Sequence, residues 1–339
     1  MKTDAHYRID CRRLMQVALV RLVALIVVAV AVPVAVSAQT DAQLTQYWAM
    51  PTYYNPGAVG NSDFIRVTAA SRLQWVGIPR APQAFLGLAD SPFKLLGKRI
   101  GAGVVFMQET AGLYSTLNAS AQLAYKIKFL KGELSIGAQV GIISETFKGT
   151  EVHNPDDDDY HEGNDDGIPT MDINGTSLDV GAGVFYTRKN FWASLSATHL
   201  TQPTITMKAE SEQEKQYEFK TSRICYFMAG GNIPIKNTLF ELQPSVLAKS
   251  DFTFFSAEAT ARVRYNKFIS GGVAYRWNDA VSVMIGAEFK NFFLGYSYDY
   301  PISSISKASS GSHEVFLRYN VKLNMADKNK NKHKSIRIM

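Results

Sequence analysis

The chain has 339 residues, of which 46% are hydrophobic and 12% aromatic, and carries a net charge of +6. Setting aside the first 38 residues, with five basic side chains (Lys2, Arg8, Arg12, Arg13, Arg21) and two acidic ones (Asp4, Asp10), leaves about +3, too little to hold a nucleic acid. Cysteine occurs only as Cys11 and Cys225, and with Cys11 in the leader neither an intrachain disulfide nor a cysteine metal site can form in the remainder.

In the leader, Arg12 and Arg13 precede an apolar run from Leu22 to Val36, and Val36-Ser37-Ala38 has the small-residue spacing that signal peptidase reads. Residues 1–38 are therefore expected to be a signal peptide, with Met15 as a second candidate start. The alternative, a single anchoring helix, is opposed by Pro33 and the cleavage motif directly after it. No later segment reaches the ~18 apolar residues of a spanning helix, so an exported chain is either soluble or a barrel.

Residues 39–62 form an aromatic, proline-punctuated stretch without periodicity, containing Tyr47, Trp48, Tyr53, Tyr54, Asn55 and Pro56. Left in water it would expose several large apolar side chains. It is expected to start in the periplasm and to serve as a plug or collar.

From Phe64 onward, apolar residues fall at every second position in segments bounded by turn residues. The clearest are Phe255, Ala257, Ala259, Ala261, Val263 and Tyr265, alternating with Ser256, Glu258, Thr260, Arg262 and Arg264. Segments of this kind begin near Phe64, Gln83, Ile100, Ser115, Gly132, Ser177, Phe191, Thr221, Thr238, Thr253, Lys267, Ala280, Phe292 and Ser312. They are about ten residues long, the length a tilted membrane strand requires. In lipid an open sheet edge leaves amides unpaired, so the strands must close. The expected fold is an all-β outer-membrane antiparallel β-barrel of about 14 strands over residues 63–324.

Connection lengths agree with that topology. Arg188-Lys189-Asn190, the turn at Asn266 and Lys290-Asn291 are tight, whereas the links after the fifth, seventh and thirteenth segments are long. Short turns on one side and long loops on the other place both chain ends in the periplasm. Aromatics near segment ends (Phe191-Trp192, Tyr275 with Trp277, Phe292-Phe293, Tyr296 with Tyr298) suggest girdles at the lipid headgroups. Glu241, Glu258, Arg262, Arg264, Arg276, Glu288, Asp299 and Arg318 would face the lumen, where charges must be hydrated or paired.

The link between the fifth and sixth segments is strongly acidic: residues 148–176 carry about −8, including Asp156 to Asp159. It reads as a solvated acidic loop; a calcium loop is the alternative, but Glu162-Gly163-Asn164-Asp165-Asp166-Gly167 lacks the closing glutamate of an EF-hand. Residues 325–339 form a basic tail, with Lys328, Lys330, Lys332, Lys334 and Arg337, expected to be periplasmic. No enzyme motif emerges. His313-Glu314 lacks a second histidine at zinc-helix spacing, and neither a Gly-x-Ser-x-Gly elbow nor a Walker loop is present. No cofactor is expected. The Gly-Ala-Gly triplets at 101–103 and 181–183 continue into strands, where small residues permit bending or close approach of a plug.

Two motif clusters carry a family resemblance. Gln46-Tyr47, Tyr54-Asn55-Pro56-Gly57, Gly60, Arg72, Gln74-Trp75-Val76-Gly77 and Ala81-Pro82 resemble the N-terminal signature of the PorP/SprF family of type IX secretion system membrane proteins. Tyr296-Ser297-Tyr298-Asp299, Ser303, Ile305 and Gly311-Ser312-His313-Glu314-Val315 with Leu317 and Tyr319 are similar to its C-terminal signature. The resemblance implies a non-enzymatic outer-membrane barrel serving protein export and, in gliding relatives, delivery of adhesins to the surface. It implies as partners a periplasmic lipoprotein, ring components and a secreted protein's C-terminal domain. Tyr47, Trp48, Tyr53, Tyr54, Asn55, Pro56, Trp75, Asp299, His313 and Glu314 are the candidate partner-binding or plug residues. The alternative function is a transporter or porin for small solutes or hydrophobic compounds.

Overall fold

The computed structural model describes residues 41–95, 97–152, 169–209 and 216–323. The expected signal peptide, the centre of the acidic loop and the basic tail lie outside them. The strands are β1 (Phe64–Leu73), β2 (Gln83–Leu95), β3 (Lys98–Ala111), β4 (Tyr114–Phe129), β5 (Gly132–Phe147), β6 (Ile173–Arg188), β7 (Phe191–Thr198), β8 (Thr204–Ala209) and β9 (Tyr217–Lys220). They continue as β10 (Ile224–Gly231), β11 (Ile233–Pro234), β12 (Phe240–Ser250), β13 (Phe255–Tyr265), β14 (Ile269–Arg276), β15 (Ala280–Phe289), β16 (Phe292–Pro301) and β17 (Ser312–Lys322).

Fourteen of these form one closed antiparallel barrel. Each pairs with its neighbours in sequence, β7 joins β10, β10 joins β12, and β17 returns to β1 in register from Phe64↔Lys322 to Leu73↔His313. Closure follows from the backbone: each of the fourteen strands has a hydrogen-bonded neighbour on both sides, which lipid demands because it offers the backbone no partner. Side chains alternate as the period-two pattern requires. On β13, Glu258, Thr260 and Arg262 are buried in the lumen while Ala259, Ala261 and Val263 are exposed on the outer face.

Three strands lie outside the fourteen. β8 and β9 pair with each other in the link after β7, and the end of β8 pairs with the start of β6. The alternation Thr204, Ile205, Thr206, Met207 marks the first of them; Ile205 and Met207 bury against Ile143 and Ile173 above the barrel wall. The two-residue β11 extends the edge of β12.

Loop lengths sort by side less strictly than the sequence suggested. On the rim that holds the long links, Gly112-Leu113 and Trp277–Asp279 are tight turns, and on the opposite rim Asn232–Leu239 spans eight residues. The reason is strand extension. β3 and β4 keep pairing to Ala111↔Tyr114, so a hairpin projects there in place of a loop, closed by Gly112 at φ 62°. Below, the rim with the long links is called the loop rim and the other the turn rim.

The girdle reading needs a similar adjustment. Phe191, Tyr275, Trp277, Phe292 and Tyr296 are exposed on the outer face, but Phe293 is buried inside and Trp192 stacks on Phe185 at 5.6 Å. Consecutive residues of a strand point to opposite faces, so an aromatic pair cannot lie wholly in one girdle.

The core of the molecule is the lumen. Residues 41–63 run through it from the loop half to the turn rim, in three short helical turns (Tyr47–Ala49, Pro51–Tyr54, Pro56–Ala58), and bury Leu44, Tyr47, Met50 and Tyr54 against inward residues such as Leu86, Met228 and Phe316. The expectation that this segment starts beneath the barrel is therefore not met by the described residues: Asp41 already lies in the loop half, beside His199. Backbone meets backbone where the strands carry glycine. A Cβ on Gly137 would collide with the Pro56 carbonyl and the Gly57 amide, and one on Gly101 with the Val59 carbonyl. Gly137→Val should unseat this stretch and destabilise the barrel by at least ~1–3 kcal/mol in urea unfolding, with β-structure retained by circular dichroism; unchanged stability would contradict the close contact.

Candidate functional site: the occupied lumen

Three sets of polar contacts fix the internal segment. In the loop half, Asp41 accepts from Tyr226 Oη at 2.5 Å and faces His199 Nε2 at 3.0 Å, while Asp179 faces His199 Nδ1 at 3.0 Å. Lys249 Nζ donates to the Asp41 carbonyl at 3.0 Å. With a carboxylate on each ring nitrogen, both must carry protons. Burial opposes the His199 charge, but Asp41 and Asp179 outweigh it and raise the pKa to about 10. Burial likewise pushes the Asp41 carboxyl up, and His199 reverses this, lowering it to about 2.

The central set is a buried ionic node. Thr45 and Gln46 donate their amides to the two oxygens of Glu314 at 2.7 and 3.0 Å. Thr45 Oγ1 donates to Asp299 at 2.7 Å and accepts from Arg72 at 3.0 Å and Arg276 at 3.1 Å, which uses the hydroxyl's full capacity of one donor and two lone pairs. Arg72 pairs with Asp299 at 2.8 Å and Glu314 at 3.5 Å; Arg276 pairs with Glu258 at 2.8 Å and Asp299 at 3.4 Å. Side chains of both arginines are at most 4% exposed. β1, β13, β14, β16 and β17 thus converge on a single threonine.

Toward the turn rim, Asn55 Nδ2 donates to the carbonyls of Val184 at 3.0 Å and Leu195 at 3.2 Å, and its Oδ1 accepts from the Gly57 amide. The Gly60 amide donates to Asp90 at 2.8 Å, and Lys126 Nζ donates to the Gly60 carbonyl at 2.5 Å. Asp90 is also paired with Arg66 at 2.8 Å. Lower on the wall, Arg264 pairs with Glu241 and Glu288.

The sequence-derived candidates divide by position. Tyr47 is fully buried and donates to Ser245 at 3.1 Å; Trp48 lies edge-on to Phe293 with the Arg262 guanidinium 3.1 Å from its ring centre; Tyr53 and Tyr54 pack together, Tyr54 also against Tyr226. Asn55 and Pro56 meet β5, β6 and β7, and Asp299 and Glu314 belong to the node. Two candidates stand elsewhere. Trp75 lies in the first loop, its amide bonded to Ser312 Oγ at 3.1 Å. His313 points outward to the Tyr296 hydroxyl at 2.7 Å, opposite to Glu314, as adjacent strand residues must be. Thr45, Arg72, Arg276, Asp41 and His199 complete the site. Arg276 is visible in the sequence as a charge at an inward position and Arg72 as a member of the first motif cluster; Asp41, Thr45 and His199 carry no pattern that singles them out.

Comparison with known proteins gives the family. A model described as type IX secretion system membrane protein PorP/SprF matches residues 36–319. The chain belongs to the PorP/SprF family. Members of both motif clusters meet in the node: Gln46 and Arg72 come from the first, Asp299 and Glu314 from the second, and the loops between them are joined by Val76 N–H to Gly311 O at 2.8 Å. The protein is an outer-membrane component of type IX secretion. No curated protein sequence matches it. Among solved structures it is similar to a Pseudomonas putida toluene transporter, TodX (9% identity, TM-score 0.46, 80% of this chain and 93% of the other), and to a Pseudomonas aeruginosa FadL homologue (10%, 0.45, 79% and 92%). It is also similar to the Acinetobacter baumannii outer membrane protein Omp33 (6%, 0.41, 77% and 98%). At such values these likenesses say nothing of function.

Two outcomes follow from the geometry. Asp299→Asn leaves Arg72 and Arg276 short of a buried counter-charge and should destabilise the folded barrel by ~3–5 kcal/mol in reversible urea unfolding; a loss below ~1 kcal/mol would mean that water already reaches the node. For His199, the folded pKa of about 10 exceeds the ordinary 6.5, so its stabilising contribution is complete below pH 6.5 and disappears as pH rises through about 10. Stability of the wild type should fall across that window more than that of His199→Gln; parallel curves would show that the histidine is not charged.

Proposed function

We propose that the barrel acts as a non-catalytic docking platform of the type IX machinery, through which partner proteins are recruited for secretion or surface delivery, and that it is not a conduit. One observation carries this reading: the lumen is filled by residues 41–63, tied to the wall in the loop half, at the centre and near the turn rim. A conduit needs a path that opens without disrupting the fold. Here withdrawal of the segment would take from Glu314 the Thr45 and Gln46 amides, and from Asp299, Arg72 and Arg276 the Thr45 hydroxyl that joins them. The cavity lined by Asp41, Glu109, Asn118 and His199 has a volume of about 40 Å³, room for a few waters and too small for a solute or a hydrocarbon.

On this reading the periplasmic lipoprotein, the ring components and the secreted cargo's C-terminal domain meet the protein at its rims. The transporter alternative is not favoured, because the lumen wall is charged and occupied. Purified protein in planar bilayers should conduct poorly, and deletion of residues 42–58 should raise conductance severalfold. A large steady conductance of the intact protein would sink the platform reading and restore the transporter. Co-purification in mild detergent, with the associated proteins identified by mass spectrometry, should recover other type IX components.

A further inference from the structure

The six connections on the turn rim share a feature that hairpin chemistry does not ask for. Each contains or adjoins an exposed lysine: Lys98 after the β2–β3 turn, Lys131 in β4–β5, Lys189 in β6–β7, Lys236 in β10–β12, Lys267 in β13–β14 and Lys290 in β15–β16. Four of them hold left-handed backbone, with φ of 61° at Lys131, 41° at Lys189, 55° at Lys267 and 54° at Lys290. Glycine or asparagine adopts that conformation with less strain, and two-residue hairpin turns select for them. On the loop rim, the left-handed positions other than glycine are Trp75, Arg80, His199, Gln202, Phe252 and Asn278, with one permanent cation among them. A positive charge is therefore kept on the turn rim against local backbone preference.

These ammonium groups make no ion pair among the described residues. The exposed carboxylate on this rim, Asp63, is held by Arg99 at 3.1 Å. Two of the lysines show the level at which the ring lies: Lys98 Nζ sits 5.2 Å from the Tyr125 ring centre and Lys290 Nζ 5.2 Å from that of Phe289. Both rings are exposed on the outer face, with Phe129, Phe240, Tyr265, Phe268 and Phe292 continuing the belt at the same end of the barrel. Outward aromatics of this kind mark the headgroup level, and lysines leaning on them are at the height of lipid phosphates.

We propose that the turn rim is a lipid-binding collar, in which the lysines of successive turns hold the phosphates of anionic phospholipids in the adjoining leaflet. The charge is distributed around the whole circumference, one site per connection, and Lys98 and Lys290 lie over rings of the aromatic belt. An annulus of lipid matches that layout, whereas a docked acidic protein would call for a charged sector. The inference rests on the outer-membrane barrel and not on the platform reading, so the two can fail separately.

The test removes the charge where removal relieves the backbone. Lys131→Asn, Lys189→Asn, Lys267→Asn and Lys290→Asn are combined in the full chain, with Lys148→Asn, Lys220→Asn and Lys307→Asn on the loop rim as the control. Protein is refolded into phosphatidylcholine vesicles with or without phosphatidylglycerol, and retained lipid is counted by native mass spectrometry after mild solubilisation. The wild type and the control should retain phosphatidylglycerol at about tenfold its bulk share, gain thermal stability from it and lose that gain as salt rises. The turn-rim variant, which keeps Lys98 and Lys236, should lose most of the preference while unfolding no earlier than wild type in pure phosphatidylcholine. Enrichment retained by the turn-rim variant, or absent from the wild type, would overturn the proposal. Should the variant fail to refold, the wild-type lipid and salt series decides the matter alone.

Discussion

A charge withdrawn from water must meet an opposite charge or hydrogen-bond partners, and the interior of this barrel is organised around that constraint. Arg72 on β1, Arg276 on β14, Asp299 on β16 and Glu314 on β17 are almost wholly shielded from solvent, and none would be stable there singly. Together with Glu258 and the Thr45 hydroxyl they form a set in which each arginine has at least two acceptors. The β1–β17 closure is the longest-range pairing in the chain, and the node ties its two strands together from inside. Closure and occupancy are thereby coupled: the internal segment completes the node, and the node holds the segment.

This coupling makes the internal segment part of the fold. The internal segment makes contacts at three heights, each with a different chemistry: a charged histidine between two carboxylates, an arginine–carboxylate node, and amide-to-backbone bonds from Asn55. Glycines at 101 and 137 bring the segment's backbone against the strands so closely that no side chain intervenes. Rigidity of this kind suits a scaffold whose rims are kept in fixed relation.

The barrel itself was legible in the sequence because its rule is local. Period-two alternation needs only neighbouring residues, and all fourteen segments read this way coincide with barrel strands, most beginning within two or three residues of the expected position. Inward charges such as Glu258, Arg264 and Arg276 were legible for the same reason. The pairing of those charges was not, because which arginine meets which carboxylate depends on shear and register around the whole barrel. His313-Glu314 shows the limit: adjacent in sequence and both polar, they face opposite sides of the wall. β8 and β9 were missed because at six and four residues they resemble loop, and their stability comes from Ile143 and Ile173 on other strands. The aromatic segment was recognisable as something that must be buried, but its direction through the lumen follows only from contacts such as Asp41 with His199.

With the interior committed to its own internal segment, the surfaces left for partners are the rims and the lipid-facing wall. The rims differ in charge and in construction. The loop rim carries the acidic link after β5 and the β8–β9 hairpin, and its loops are tied to one another by backbone bonds such as Val76 to Gly311 and Ser310 to Val76. The turn rim is built mostly of tight hairpins, Asn232–Leu239 being the long exception, and its exposed charges are nearly all positive. The side chains that make this difference play no part in closing the barrel. The node ties the internal segment to the strands that close the barrel, and the rims differ in the charge they present to either side.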